Sequence, residues 1–153
     1  MSVNGQGDRT LTLAGARMIA LFMYVGTVPV LAVVGSFVRS TATGIPDILA
    51  WILLVVAVAD YGVSLSLEGY LLSEPRLRQT AQRRPSGRPE GAAVIVAVIT
   101  SAFGVSIAIY GLLLGLLSFA TWPWYFYGLA ALHGIHLQLR WDRYEDAVRK
   151  ASR

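Results

Sequence analysis

Two carboxylates interrupt an otherwise apolar stretch, Asp60 and Glu68 within the run from Ile48 to Leu72. An ionised Asp at the centre of a membrane helix costs about 2.5–3.5 kcal/mol on insertion scales, so such a group must exchange protons, pair, or fix helix packing through an interhelical hydrogen bond. Tyr61, Ser64 and Tyr110 are the candidate partners of Asp60. Glu68 follows by eight residues, which on a helix is about 12 Å further along and about 80° around. It either continues a carboxylate path or reaches the interface. His133 and His136 form a second polar pair, at a depth similar to Glu68. Imidazole titrates near neutrality, so a Glu-His-His group could relay protons or bind a metal. Two His at i, i+3 share one helix face and cannot ligate one haem from opposite sides. The expectation is an interfacial polar site, held by hydrogen bonds or in contact with lipid or quinone, with no metal and no cofactor.

Other chemistry is poorly supplied. The chain has no cysteine, which removes disulfides, thiolate metal sites and cysteine nucleophiles. It carries no glycine-rich phosphate loop, serine elbow or zincin spacing. A net charge of +4 suggests nucleic acid at first sight, but the basic residues cluster beside apolar runs, a pattern of membrane orientation. No nucleic-acid partner is expected.

The elements that hold these residues are membrane spans. A chain of 153 residues, 55% hydrophobic and 14% charged, has more apolar surface than a soluble domain of that size buries. Met18 to Val38 is free of charge between Arg17 and Arg39, long enough to cross a hydrocarbon core of roughly 30 Å. It reads as a retained span, since another span follows almost at once. Between Glu90 and Arg140 lie 49 residues without Asp, Glu, Lys or Arg, enough for two more crossings. The turn falls at Ser118-Phe119-Ala120-Thr121-Trp122-Pro123, where Pro123 suits a helix start and Trp122, Trp124, Tyr125 and Tyr127 form an aromatic belt. The predicted fold is all-α, a four-transmembrane-helix bundle with helices near 16–39, 47–73, 91–118 and 122–140, in a single integral membrane domain.

Twelve of the 13 basic residues fall in the N-terminal tail, the central loop and the C-terminal tail; the opposite side has Arg39 alone. The positive-inside rule therefore places both termini and the loop in the cytoplasm. The Pro- and Arg-rich loop from Ser73 to Glu90 should be partly irregular, with a short helical extension. In the tail, Glu145 and Asp146 precede Arg149 and Lys150 by four residues, which favours carrying the last helix on into water.

Small residues recur on the third span at Ala97, Ser101, Gly104, Ala108, Gly111, Gly115 and Ser118, alternating four and three apart. Lipid tails are as apolar as leucine, so helices associate in a bilayer by close backbone approach, and such a seam invites a partner along its whole length. A shorter seam, Ala59, Gly62, Ser66 and Gly69, lies on the second span. One seam can pack inside the monomer while another serves an oligomer or partner subunit; both can also be internal. Pro29 is expected to kink the first span.

The hairpin of residues 48–118 resembles the proteolipid c subunit of rotary ATP synthases. Arg88-Pro89-Glu90 matches that family's polar loop, and Ala108-Ile109-Tyr110-Gly111-Leu112 matches a stretch of its second helix. The family places a carboxylate four residues before that isoleucine, where this chain has Val105. The resemblance thus implies a diverged hairpin unable to perform the rotor reaction in the usual way. In an antiparallel hairpin Asp60 lies at the depth of Val105 and is a candidate substitute. The expected function is a non-catalytic membrane subunit, self-oligomerising or accessory to an energy-transducing complex. The alternative is a proton or small-ion conductor using Asp60 and Glu68, and a third reading is an enzyme or quinone-site subunit using the two histidines.

Overall fold

The computed structural model describes residues 12–37, 47–83, 88–117, 119 and 121–153. All regular structure among them is helical, in six helices: α1 Leu13–Phe37, α2 Ile48–Leu71, α3 Glu74–Gln82, α4 Pro89–Leu116, α5 Trp122–Leu139 and α6 Trp141–Ala151. Three of them, α1, α2 and α4, are long and apolar enough to cross a membrane. Arg9, Arg39 and Arg84 of the charge count, and Ser118 of the seam, lie outside the described residues.

Helix boundaries follow local chemistry. The Thr12 side chain accepts from the Gly15 N–H at 3.2 Å and caps α1. Pro89 and Pro123 each stand in a first turn, where the missing N–H leaves no bond unmade. Near Pro29, where a kink is expected, the helix carries a π-helical turn at Met23–Thr27, just before the proline. Proline cannot donate to the carbonyl four residues back and crowds the preceding turn, and widening that turn relieves the conflict.

Helix α4 is the axis of the molecule. It packs against every other helix, most extensively α1 and α5, then α2. The described seam residues Ala97, Ser101, Gly104, Ala108, Gly111 and Gly115 are all buried, and the three glycines among them are small for a visible reason. A Cβ at Gly104 would fall on the Tyr24 hydroxyl and within 2.6 Å of its ring; one at Gly115 would stand 3.0 Å from the Gly35 carbonyl oxygen. One at Gly111 would come within 3.0 Å of Phe126 and Tyr127. The seam is consumed inside the monomer.

The second seam points the other way. Ala59, Gly62, Ser66 and Gly69 are exposed, and the buried residues of α2 are Ala50, Ala57, Ser64 and Glu68. At 100° per residue the two sets lie on nearly opposite faces. Beyond them, Phe22, Val25, Phe37, Trp51 and Val55 are largely uncovered on α1 and α2, a surface suited to hydrocarbon.

Three expectations need correction at the helix ends. The tail is helical but is not one unbroken rod with α5: Arg140 interrupts the helix, and α6 has Trp141, Tyr144, Val148 and Ala151 buried, packed on α3 and α4. Those positions recur three and four apart, and their apolar burial outweighs the exposed charge pairs. The tail pair in the structure is Asp146 with Arg149 at i, i+3 instead of the i, i+4 pairs. Tyr127 is buried, its hydroxyl donating to the Leu31 carbonyl at 3.1 Å, so it leaves the aromatic belt; Trp124 and Tyr125 stay exposed.

Candidate functional site

The polar groups of the four longest helices gather toward the Arg-rich end, with His133 at their centre. Its side chain is buried. Nδ1 lies 2.7 Å from the Tyr24 hydroxyl and Nε2 lies 2.9 Å from the Ser64 hydroxyl. Tyr24 is also within 3.4 Å of the Ser101 carbonyl oxygen. One neutral tautomer satisfies every donor: Nδ1–H donates to Tyr24, Tyr24 donates to the Ser101 carbonyl, and Ser64 donates to Nε2. With the opposite tautomer Ser64 has no visible acceptor. This chain joins α1, α2, α4 and α5 at one depth, and buried polar groups so satisfied specify one packing arrangement.

Room for the junction comes from glycine. The Tyr24 ring lies between α4 and α5, filling the space left by Gly104 on one side and Gly134 on the other, where a Cβ would come within 2.7 Å of the ring. The sequence pointed to Gly104 but not to Tyr24, Gly134 or Arg140. A lone tyrosine hydroxyl in a charge-free span was the available signal.

Asp60 is partly buried and accepts from the Tyr110 hydroxyl at 2.8 Å. Of the three candidate partners, Tyr110 is therefore found on Asp60, and the other two are corrected. Ser64 points along the buried face to His133, and the Tyr61 hydroxyl lies 2.8 Å from His136 Nδ1. Asp60 and Tyr61, adjacent in sequence, flank the buried face of α2 on its two sides, so one turns toward α4 and the other toward α5.

Glu68 does not join the histidines. It is 1% exposed and pairs with Arg140 at 3.3 Å, at the end of α5. Its second oxygen, Oε1, and Arg140 Nε have no hydrogen-bond partner among the described residues. Orphaned buried atoms of this kind are normally satisfied by ordered water. The pair closes the floor of a cleft of about 470 Å³ that also involves Glu74, Arg143, Asp146 and Lys150. Among the described residues no group of three His, Cys, Asp or Glu side chains could hold a metal ion. Just outside the spans, burial pushes the Tyr144 phenol above its ordinary value.

Chemically, the described residues offer hydroxyl–imidazole and carboxylate–guanidinium contacts. Comparisons with protein-family models, with curated proteins and with solved structures give no match to this chain.

Proposed function

We propose that the chain is a non-catalytic, four-span integral membrane subunit that assembles with copies of itself through the outward face of α2. In this reading α5 is the fourth crossing: its 18 residues reach about 27 Å, close to the hydrocarbon thickness. Both termini and the Arg-rich segment lie in the cytoplasm. One observation carries the assembly: the α4 seam is filled within the monomer, whereas on α2 a Cβ at Gly62 or Gly69 would meet nothing within 4 Å. Close backbone approach is the usual route to helix association in lipid, and that face leaves it open.

The chain's lack of cysteine makes the test direct. Ser66→Cys should form a disulfide-linked dimer in native membranes, and Leu132→Cys, exposed on α5, should not. Gly62→Leu together with Ser66→Leu should leave a folded monomer. A wild-type chain that is monomeric in mild detergent and silent to Ser66→Cys crosslinking removes the reading. Gly104→Leu is a poor probe of assembly, because it disrupts the monomer around Tyr24.

A second reading, proton handling, is favoured by the unpartnered Glu68 oxygen on the cleft floor and by the Asp60–Tyr110 pair. It keeps the relation to the proteolipid hairpin as a proposal, with Asp60 supplying the acid from the neighbouring helix. Asp60→Asn in reconstituted vesicles should then abolish proton flux with assembly intact; unchanged flux ends it.

A further inference from the structure

We infer that the groove between α1 and α5 holds one acyl chain of an anionic phospholipid, with the headgroup phosphate on Arg17 and Gln138. The groove encloses about 440 Å³ beside the π-helical turn, between Leu21, Val25 and Pro29 on one side and Ala131, Ile135 and Leu139 on the other. That volume falls within the roughly 300–1,000 Å³ of ordinary ligand pockets. Its walls are apolar apart from Gln138 at the Arg-rich end. From Leu21 to Pro29, and from Ala131 to Leu139, it runs eight residues, about 12 Å along the helices. This approaches half of a hydrocarbon core of roughly 30 Å, the depth that a single leaflet's chain occupies.

The headgroup end carries the commitment to an anion. Gln138 Nε2 is buried and without a partner, a donor with no acceptor supplied by the described residues. Gln138 Oε1 accepts from Arg17 Nε at 3.1 Å, which fixes the guanidinium beside the groove mouth. Trp141 supports it from behind, its ring centroid 5.9 Å from the guanidinium carbon. Arg17 is exposed and forms no ion pair with a described residue. A guanidinium and an amide N–H₂ side by side suit phosphate oxygens, and Arg offers planar, paired donors for that purpose. The small side chain of Ala131 leaves room opposite Val25 and Pro29, and Tyr24, seated against Gly134, forms part of the groove wall.

The inference depends on the chain being embedded in a bilayer, not on self-assembly through α2. The delipidated protein in mild detergent is titrated with phosphatidylglycerol or phosphatidylcholine of identical chains and followed by native mass spectrometry. Circular dichroism and the thermal midpoint report folding. Phosphatidylglycerol should saturate at one strongly held molecule per chain and bind more tightly than phosphatidylcholine. Arg17→Gln should weaken it by about tenfold, the scale of one lost charged hydrogen bond. Ala131→Trp should fill the exposed groove and abolish binding while the helical signal persists; should it misfold, Leu21→Trp fills the same space from α1. Equal binding of the two lipids overturns the inference. So does unchanged phosphatidylglycerol binding in a folded groove-filling variant, or recovery of a quinone or polyisoprenoid from the native groove. A chain that stays soluble without detergent sinks the membrane reading itself, a result distinguishable from all of these.

Discussion

Replacing Gly104 by Ala should destabilise the protein, although alanine is the better helix former. In an open helix position the exchange gains about 1 kcal/mol. At Gly104 the added methyl falls on the Tyr24 hydroxyl and within 2.6 Å of its ring. Tyr24 cannot retreat, since Gly134 backs it at a distance where a Cβ would again lie 2.7 Å away. Overpacking of this kind costs about 1–3 kcal/mol. Moving the ring also breaks its 2.7 Å contact with His133 and leaves a buried nitrogen unpaired, for about 1–3 kcal/mol more. The net is a loss of about 1–5 kcal/mol, from the same two costs less the propensity gain. Unfolding by a denaturing detergent, followed by far-ultraviolet circular dichroism, measures it. Gly128→Ala is the control, since a Cβ there meets nothing within 4 Å, and it should be neutral or stabilising. The decisive arm is the Tyr24→Ala background. With the ring gone, Gly104→Ala should change sign and recover about 1 kcal/mol. Stabilisation by Gly104→Ala in both backgrounds would refute the account of Tyr24 as a ring held between two glycines.

Three further outcomes follow from the same geometry. Glu68→Leu strands the Arg140 guanidinium and should cost somewhat less than the roughly 3–5 kcal/mol of a fully buried pair, because Arg140 keeps partial exposure; adding Arg140→Met should restore most of the loss in the same unfolding assay. Ser64→Ala removes a buried partner of His133 and should cost about 1–3 kcal/mol, whereas Ser66→Ala, whose hydroxyl only returns to the Gly62 carbonyl on an exposed face, should stay within about 0.5 kcal/mol in monomeric protein. Burial raises the Tyr144 phenol above its ordinary value of 10.0, so the unfolded chain releases that proton first. Its contribution is fully present below pH 10 and declines as pH rises beyond it; Tyr144→Phe should flatten the alkaline fall of the thermal midpoint, and an unchanged slope would show that this phenol is not the titrating group.

Much of the architecture was legible because membrane helices announce themselves by uninterrupted apolar length. The observed long helices begin and end within three residues of the positions read from the sequence. The α4 seam was also readable, since spacing of four and three places residues on one face whatever the partner is. Tyr110 was among the partners named for Asp60, although the antiparallel register read from the sequence set Asp60 level with Val105, five residues earlier. Rotation was not legible. Periodicity showed that Ala59, Gly62, Ser66 and Gly69 share a face but not that it looks outward, because a face needs a neighbour before it has a direction. The same gap separated Tyr61 and Ser64 from Asp60 and gave them to the histidines.

The sequence by itself determined the helices, their order and the small-residue stripes. These depend on composition and on the fixed 100° step of a helix, which act within one segment. Only the tertiary structure decided which stripe is filled, that Tyr24 lies between Gly104 and Gly134, that Glu68 meets Arg140, and that α6 packs on α3 and α4. Each of those is a contact between segments far apart in the chain. Such a contact is settled by which side chains can occupy one volume together, a condition no single segment carries.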